Sequence, residues 1–155
     1  MTKSKKTCLL AALTLGVLCF IWGNSMLPGE ESGAISGGLL AWLVRTFPFL
    51  KWMPELLLRK LGHFMEFAAL GFLLAWFFLL RGQRGFHRGT MPLLFVLLAA
   101  VTDETIQSFS LGRSPSVIDV WIDVAGGCTG IALLFLGAKI NTWFQRKEKN
   151  NEKDS

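Results

Sequence analysis

Every position from Thr7 to Gly29 is uncharged, and Leu, Ala, Gly, Phe and Trp make up most of that stretch. An uncharged run of this length has few places to go. A helix needs about 20 apolar residues, each adding about 1.5 Å, to cross about 30 Å of hydrocarbon. Three further stretches meet the same condition, so four spans are expected: 7–27, 58–80, 89–109 and 118–138. Only 17% of the 155 residues are charged, against about 25% in soluble domains. A soluble globular enzyme is therefore excluded as the default. So is a disordered chain, which would be poor in Leu, Phe and Trp. The expected class is an all-α membrane protein, a bundle of four transmembrane helices with an extra interfacial or re-entrant helix in the first outer loop. That extra piece is read from Leu39-Leu40-Ala41-Trp42-Leu43-Val44, too short to cross, with Trp42 and Trp52 at headgroup level.

The basic residues set the expected orientation. Lys3, Lys5, Lys6, Arg81, Arg84, Arg88, Lys139, Arg146, Lys147, Lys149 and Lys153 fall on one side, 11 in all, and Arg45, Lys51, Arg59, Lys60 and Arg113 make 5 on the other. The richer side is cytoplasmic, so both termini are expected there. Residues 1–6 are then a basic tail, 7–140 the membrane domain and 141–155 a disordered cytoplasmic tail. No convincing small-x-small cleavage site follows the first run, which favours a retained span over a secretory signal. Ser36 and Ser114 are expected to be open to labelling from outside, and Gln83 not. The net charge of +5 belongs to this asymmetry, and no nucleic-acid partner is expected. Cys8, Cys19 and Cys128 have neither CxxC nor Cys/His spacing and read as small apolar residues of membrane helices.

Eight of the 11 acids lie in the outer half, and three lie deep. Glu66 precedes Arg81 by 15 residues, Asp103 follows Arg88 by 15 and Asp123 precedes Lys139 by 16, each about 22–24 Å of helix. If those basic residues mark the inner boundary, the three carboxylates share one depth inside the hydrocarbon. An acid there costs at least about 2.5 kcal/mol, and three separate segments accept that cost. The helical spacing gives the faces. Lys60, His63 and Glu66 stack at i, i+3, i+6; Asp103 and Gln107, and Asp119 and Asp123, are i,i+4 pairs; Glu104 and Gln107 are an i,i+3 pair. The Asp119/Asp123 face continues into Gly126 and Gly130, a small-xxx-small pair that lets helices approach closely. Asn24 and Ser25 close the first span at the same level, and Arg113 sits in the outer turn. His63, Glu66, Asp103, Glu104, Asp119 and Asp123 are thus the expected polar cluster, with Asn24, Ser25, Lys60, Gln107 and Arg113 as binding groups. Glu30, Glu31 and Glu55 read as solvated loop acids, and Arg59 as an ordinary boundary residue.

Three functions fit such a cluster. A His beside carboxylates supplies an acid and a base, and Lys60 and Arg113 suit a phosphate or other anion, so an enzyme acting on a lipid-linked envelope molecule is one. Binding an amphiphile without turning it over is the second. A small transporter or proton-coupled channel is the third. No GxSxG or HExxH motif fixes a reaction. No cofactor is expected, although one His with several acids leaves a divalent cation open. The expected partner is a membrane lipid or lipid-tailed envelope molecule, and the oligomeric state stays open.

The stretch Arg59-Lys60-Leu61-Gly62-His63-Phe64-Met65-Glu66, followed by Asp103-Glu104-Thr105-Ile106-Gln107-Ser108-Phe109 and then Gly112-Arg113-Ser114-Pro115-Ser116-Val117-Ile118-Asp119-Val120-Trp121-Ile122-Asp123, resembles the VanZ-like family. Trp22-Gly23-Asn24-Ser25 is similar to its opening motif, and the likeness runs from about residue 20 to 130. The resemblance implies a bacterial multi-pass membrane protein with a link to resistance against teicoplanin, a lipid-tailed glycopeptide.

Overall fold

A computed structural model describes residues 2–83 and 85–151. Five α-helices follow one another: α1 Lys3–Met26, α2 Gly29–Thr46, α3 Glu55–Leu80, α4 His87–Phe109 and α5 Val117–Asn151, with a short 3-10 helix, Pro48–Trp52, between α2 and α3. No strand occurs among the described residues. The helices α1, α3, α4 and α5 are each long and apolar enough to cross a membrane, and they match the four expected spans. Connected in this order they run up, down, up and down. The C-terminal ends of α1 and α4 and the N-terminal ends of α3 and α5 therefore meet at one end of the bundle, distal to both chain ends.

The extra helix of the first loop is longer than the apolar run that announced it. α2 extends over 18 residues, with Glu30 and Glu31 in its first turn and Arg45 in its last, the arrangement that complements the helix dipole. Ile35, Leu39 and Trp42 form a stripe at helical spacing and are exposed, as an interfacial helix requires. Ile35 and Leu39 also border the cavity between this helix and α3, and the adjoining face packs on α3. There Ser36 is buried and donates to the Glu55 carboxylate at 2.8 Å. Two expectations change as a result: Ser36 is closed to labelling, and Glu55 ties α2 to α3 instead of being only solvated.

The tail also differs. Residues 141–151, expected to be disordered, continue α5. Gln145, Arg146, Lys147, Glu148 and Lys149 are straight-chain helix formers, and extending an existing helix needs no new nucleus. Residues 152–155, Met1 and the Arg84 of the inner basic set lie outside the described residues. At the other end α1 begins inside the basic tail, at Lys3, capped by the Thr2 hydroxyl.

α3 and α5 form the most extensive helix pair, and glycine permits it. A Cβ on Gly126 would collide with the Phe64 carbonyl, on Gly130 with the Ala68 carbonyl and on Gly71 with the Gly127 carbonyl. The two backbones touch, which is how helices associate where lipid supplies no hydrophobic drive between them. Around this seam Ile21, Phe67, Leu70, Leu74, Val96, Ala100 and Ile131 form the buried core. Leu13, Leu15, Leu94, Leu133 and Leu136 are exposed, the pattern of a lipid-facing surface. At the distal end Gly112 turns α4 into α5 with φ +73°, and the neighbouring Leu111 carbonyl accepts from the Gly29 N–H at 2.8 Å.

Candidate functional site

The buried stripe of each long helix changes character toward the distal end. On α3 Leu74, Leu70 and Phe67 give way to His63 and Lys60. On α4 Val96, Ala99 and Ala100 give way to Asp103 and Gln107. On α5 Ile131 and the glycines give way to Asp123 and Asp119, and on α1 Ile21 gives way to Ser25. Asp103 is wholly buried and Asp123 is 2% exposed. Folding brings to one layer what the sequence spreads over a hundred positions.

Asp103 is the best-held member. It accepts from the Ser25 hydroxyl at 2.6 Å and from the Gln107 amide at 2.7 Å, the latter being the expected i,i+4 pair. His63 Nδ1 lies 3.8 Å from Oδ2 of that carboxylate, the oxygen that accepts from Gln107, and has no hydrogen-bond partner. Donor atoms of His63, Asp103 and Asp123 all fall within 4.8 Å of one another. Asp123 makes no hydrogen bond or ion pair with a described residue. Glu66 accepts from the Asn24 amide at 3.1 Å, and its second oxygen is buried without a partner.

The remaining expected members are placed nearby but are already engaged. Lys60 donates to Asp119 at 2.5 Å, with both side chains about one-third exposed. Arg113 donates to the Leu27 carbonyl at 3.2 Å and to the Asn24 carbonyl at 2.9 Å, supplying charged donors to carbonyls at the C-terminus of α1. Burial, aided by nearby Arg59, lowers the Arg113 pKa from its ordinary value; it remains a cation, since arginine does not lose its proton in proteins. Glu104 accepts from the Ser116 N–H and fastens the start of α5. Its second oxygen is buried without a partner.

Two cavities open on this layer. The larger, about 370 Å³, lies between α1, α2 and α3 and is lined by Asn24, Arg59, His63, Glu66 and Arg113 together with Phe20, Leu27, Ile35, Leu39 and Leu58. The smaller, about 40 Å³, is lined by Arg59, Lys60, His63, Gln107, Asp119 and Asp123 among others. His63 and Arg59 border both. Arg59 is the residue the sequence reading passed over: among the described residues no acid comes within ion-pair distance of it, so its charge is free for a ligand. The available signal was its place one residue from Lys60, which turns it about 100° around α3 toward α1 and α2.

A family model described as VanZ/LLP1 matches residues 10–138. The chain belongs to the VanZ/LLP1 family. All the site residues fall inside the matched region, as do most of the four long apolar helices, so the chain is a VanZ-like membrane protein. Neither the curated proteins nor the solved structures contain a match to it.

Proposed function

We propose that this VanZ-like protein binds the polar headgroup of an anionic or zwitterionic, lipid-tailed envelope molecule at the outer face of a bacterial cell membrane, with both of its own termini cytoplasmic. The observation that carries this reading is the 370 Å³ cavity. One wall is apolar, from Phe20, Leu27, Ile35, Leu39 and Leu58, and the other carries Arg59, Arg113, Asn24 and His63 with one acid, Glu66. A pocket with an apolar body and a few convergent polar groups suits an amphiphile. The uncommitted Arg59 guanidinium matches a phosphate or carboxylate in a bidentate way. The excess of basic residues toward the chain ends supports the orientation. Lipid-tailed glycopeptides such as teicoplanin have the required chemistry, and their capture would confer resistance.

Native mass spectrometry of the purified chain tests this. Retention of phosphatidylglycerol or teicoplanin is expected for the wild type and for Lys60→Ala, whose lysine is occupied by Asp119, with loss in Arg59→Ala. Equal retention by the Arg59 variant would remove the basis of the proposal.

A second reading is favoured by one feature, the His63–Asp103 pair with Glu66 on the same cavity. A histidine held beside a carboxylate can move a proton at a bound headgroup, which would make the protein a membrane-embedded enzyme on a lipid-linked substrate. Lipid and cell-wall-precursor profiles of a deletion strain separate the two. A changed envelope metabolite supports catalysis, and unchanged metabolites with altered lipoglycopeptide susceptibility support binding.

A further inference from the structure

We propose that His63, Asp103 and Asp123 form a binding site for a divalent transition-metal cation, Zn²⁺ or Mn²⁺. Three helices each supply one ligand, and their donor atoms lie within 4.8 Å of one another. Ligands of one ion sit about 2.1 Å from it, so no two are more than about 4.2 Å apart; side-chain rotations of under an ångström close the set. One imidazole with two carboxylates is harder than a thiolate site and softer than an all-oxygen one, which favours Zn²⁺ or Mn²⁺ over Mg²⁺ or Ca²⁺.

Asp123 supplies the independent argument. It is 2% exposed, lines the smaller cavity and has no hydrogen-bond or ion-pair partner among the described residues. A buried carboxylate needs a cation or several donors to compensate for its lost hydration. Lys60 is paired with Asp119 and Arg113 with the carbonyls of α1; Arg59 borders the same cavity but forms no ion pair with Asp123. His63 Nδ1 is likewise buried and unpartnered. Asp103, in contrast, is fixed by Ser25 and Gln107, the kind of outer support that orients metal-binding carboxylates. The sequence held no diagnostic ligand spacing because the ligands are 40 and 20 residues apart, on separate helices.

A cation here would border the cavity assigned above to the headgroup, since His63 lines it, and would polarise an anionic oxygen placed there. The metal site stands on its own geometry and does not require that ligand. The full chain, purified in detergent and stripped with a chelator, is equilibrated with ZnCl₂ or MnCl₂, and bound metal is read by mass spectrometry. Saturable uptake of one ion per chain is expected. Asp123→Asn and His63→Ala should each weaken it by at least about tenfold, a loss that even outer-shell changes cause, while Leu133→Ala, at an exposed apolar position of α5, should leave it unchanged. Metal should also raise the Tm of the wild type but not of Asp123→Asn, a readout that reports on folded protein in both cases. No saturable uptake by folded wild type, or uptake unaffected by both ligand variants, would overturn the proposal. Because Arg59→Ala removes headgroup retention and Asp123→Asn removes metal, failure of one reading is visible apart from failure of the other.

Discussion

The middle of the bundle and its distal end are built from the same four helices but solve opposite problems. In the middle, Phe67, Leu70, Val96 and Ile131 are buried together, and glycines bring the α3 and α5 backbones into contact. One turn or two further along the same stripes, the buried groups are Ser25, Asp103, Gln107 and Asp123. The first layer is apolar, and the cavity of about 130 Å³ beside Leu70, Leu74 and Ala99 is lined almost wholly by apolar side chains. The second borders cavities and retains unpartnered polar atoms on His63, Glu66, Glu104 and Arg113. A chain under selection for stability alone would have extended the apolar stripe. The contrast teaches that the middle holds the bundle together and that the distal layer is maintained at its expense, so substitutions in the two layers should have opposite consequences.

The largest effect belongs to the seam. Gly130→Ala places a methyl group against the backbone carbonyl of Ala68, which cannot rotate away as a side chain would. A loss of about 3 kcal/mol is expected, the upper end of the cost of overpacking, read as a lower unfolding midpoint in detergent. An unchanged midpoint would break the contrast at its stable half. Arg113→Ala comes next. It strips two charged donors from the end of α1, and about 2 kcal/mol should be lost. That residue belongs to the distal layer by position but to the scaffold by role, so the boundary between the two halves runs through its contacts.

Within the site proper the sign reverses. Glu66→Gln and Asp123→Asn remove charge from buried positions with no cation bound in an ion pair. Stability should hold or rise by about 1 kcal/mol, while any phenotype conferred by the wild type disappears. Chelator-treated protein is the right reference, since a bound metal would mask the gain for Asp123. Thermal unfolding and complementation on the same variants check both halves of the statement. Destabilisation as large as that of Gly130→Ala, or full complementation by both variants, would erase the distinction.

Much of this contrast was legible in the sequence. Span length and the shared depth of Glu66, Asp103 and Asp123 located the four helices and their polar layer, and the Gly126/Gly130 spacing announced the seam. The i,i+4 spacing gave the Asp103–Gln107 bond. Partner choice was not legible. Whether Lys60 meets Asp119 or Glu66, or whether Arg113 meets an acid or the carbonyls of α1, depends on the rotation of each helix about its axis, which tertiary packing sets. α2 was only partly visible, because Gly33, Gly37 and Gly38 lower its helix propensity and its apolar stripe stays largely exposed. The helical tail was missed for another reason: composition marks a segment as polar and charged, yet a preceding helix can still carry it along.

The smallest effect is energetic silence with a clear readout of side. In a background with Cys8, Cys19 and Cys128 replaced, single cysteines at Ala34, Ser114 and Gln83 sit at exposed positions and should leave stability unchanged within about 0.5 kcal/mol. Ala34 replaces Ser36 as the probe of α2, because Ser36 is buried beneath Glu55. Ala34 and Ser114 belong to the distal end, and Gln83 to the turn at the opposite end, beside Arg81. If the polar layer serves an envelope molecule, a membrane-impermeant maleimide added to intact cells should reach the first two and spare the third. Gln83 should react only after lysis. Labelling of Gln83 in intact cells would turn the molecule over, placing the polar layer against the cytoplasm, and the headgroup it binds would then have to come from the inner leaflet.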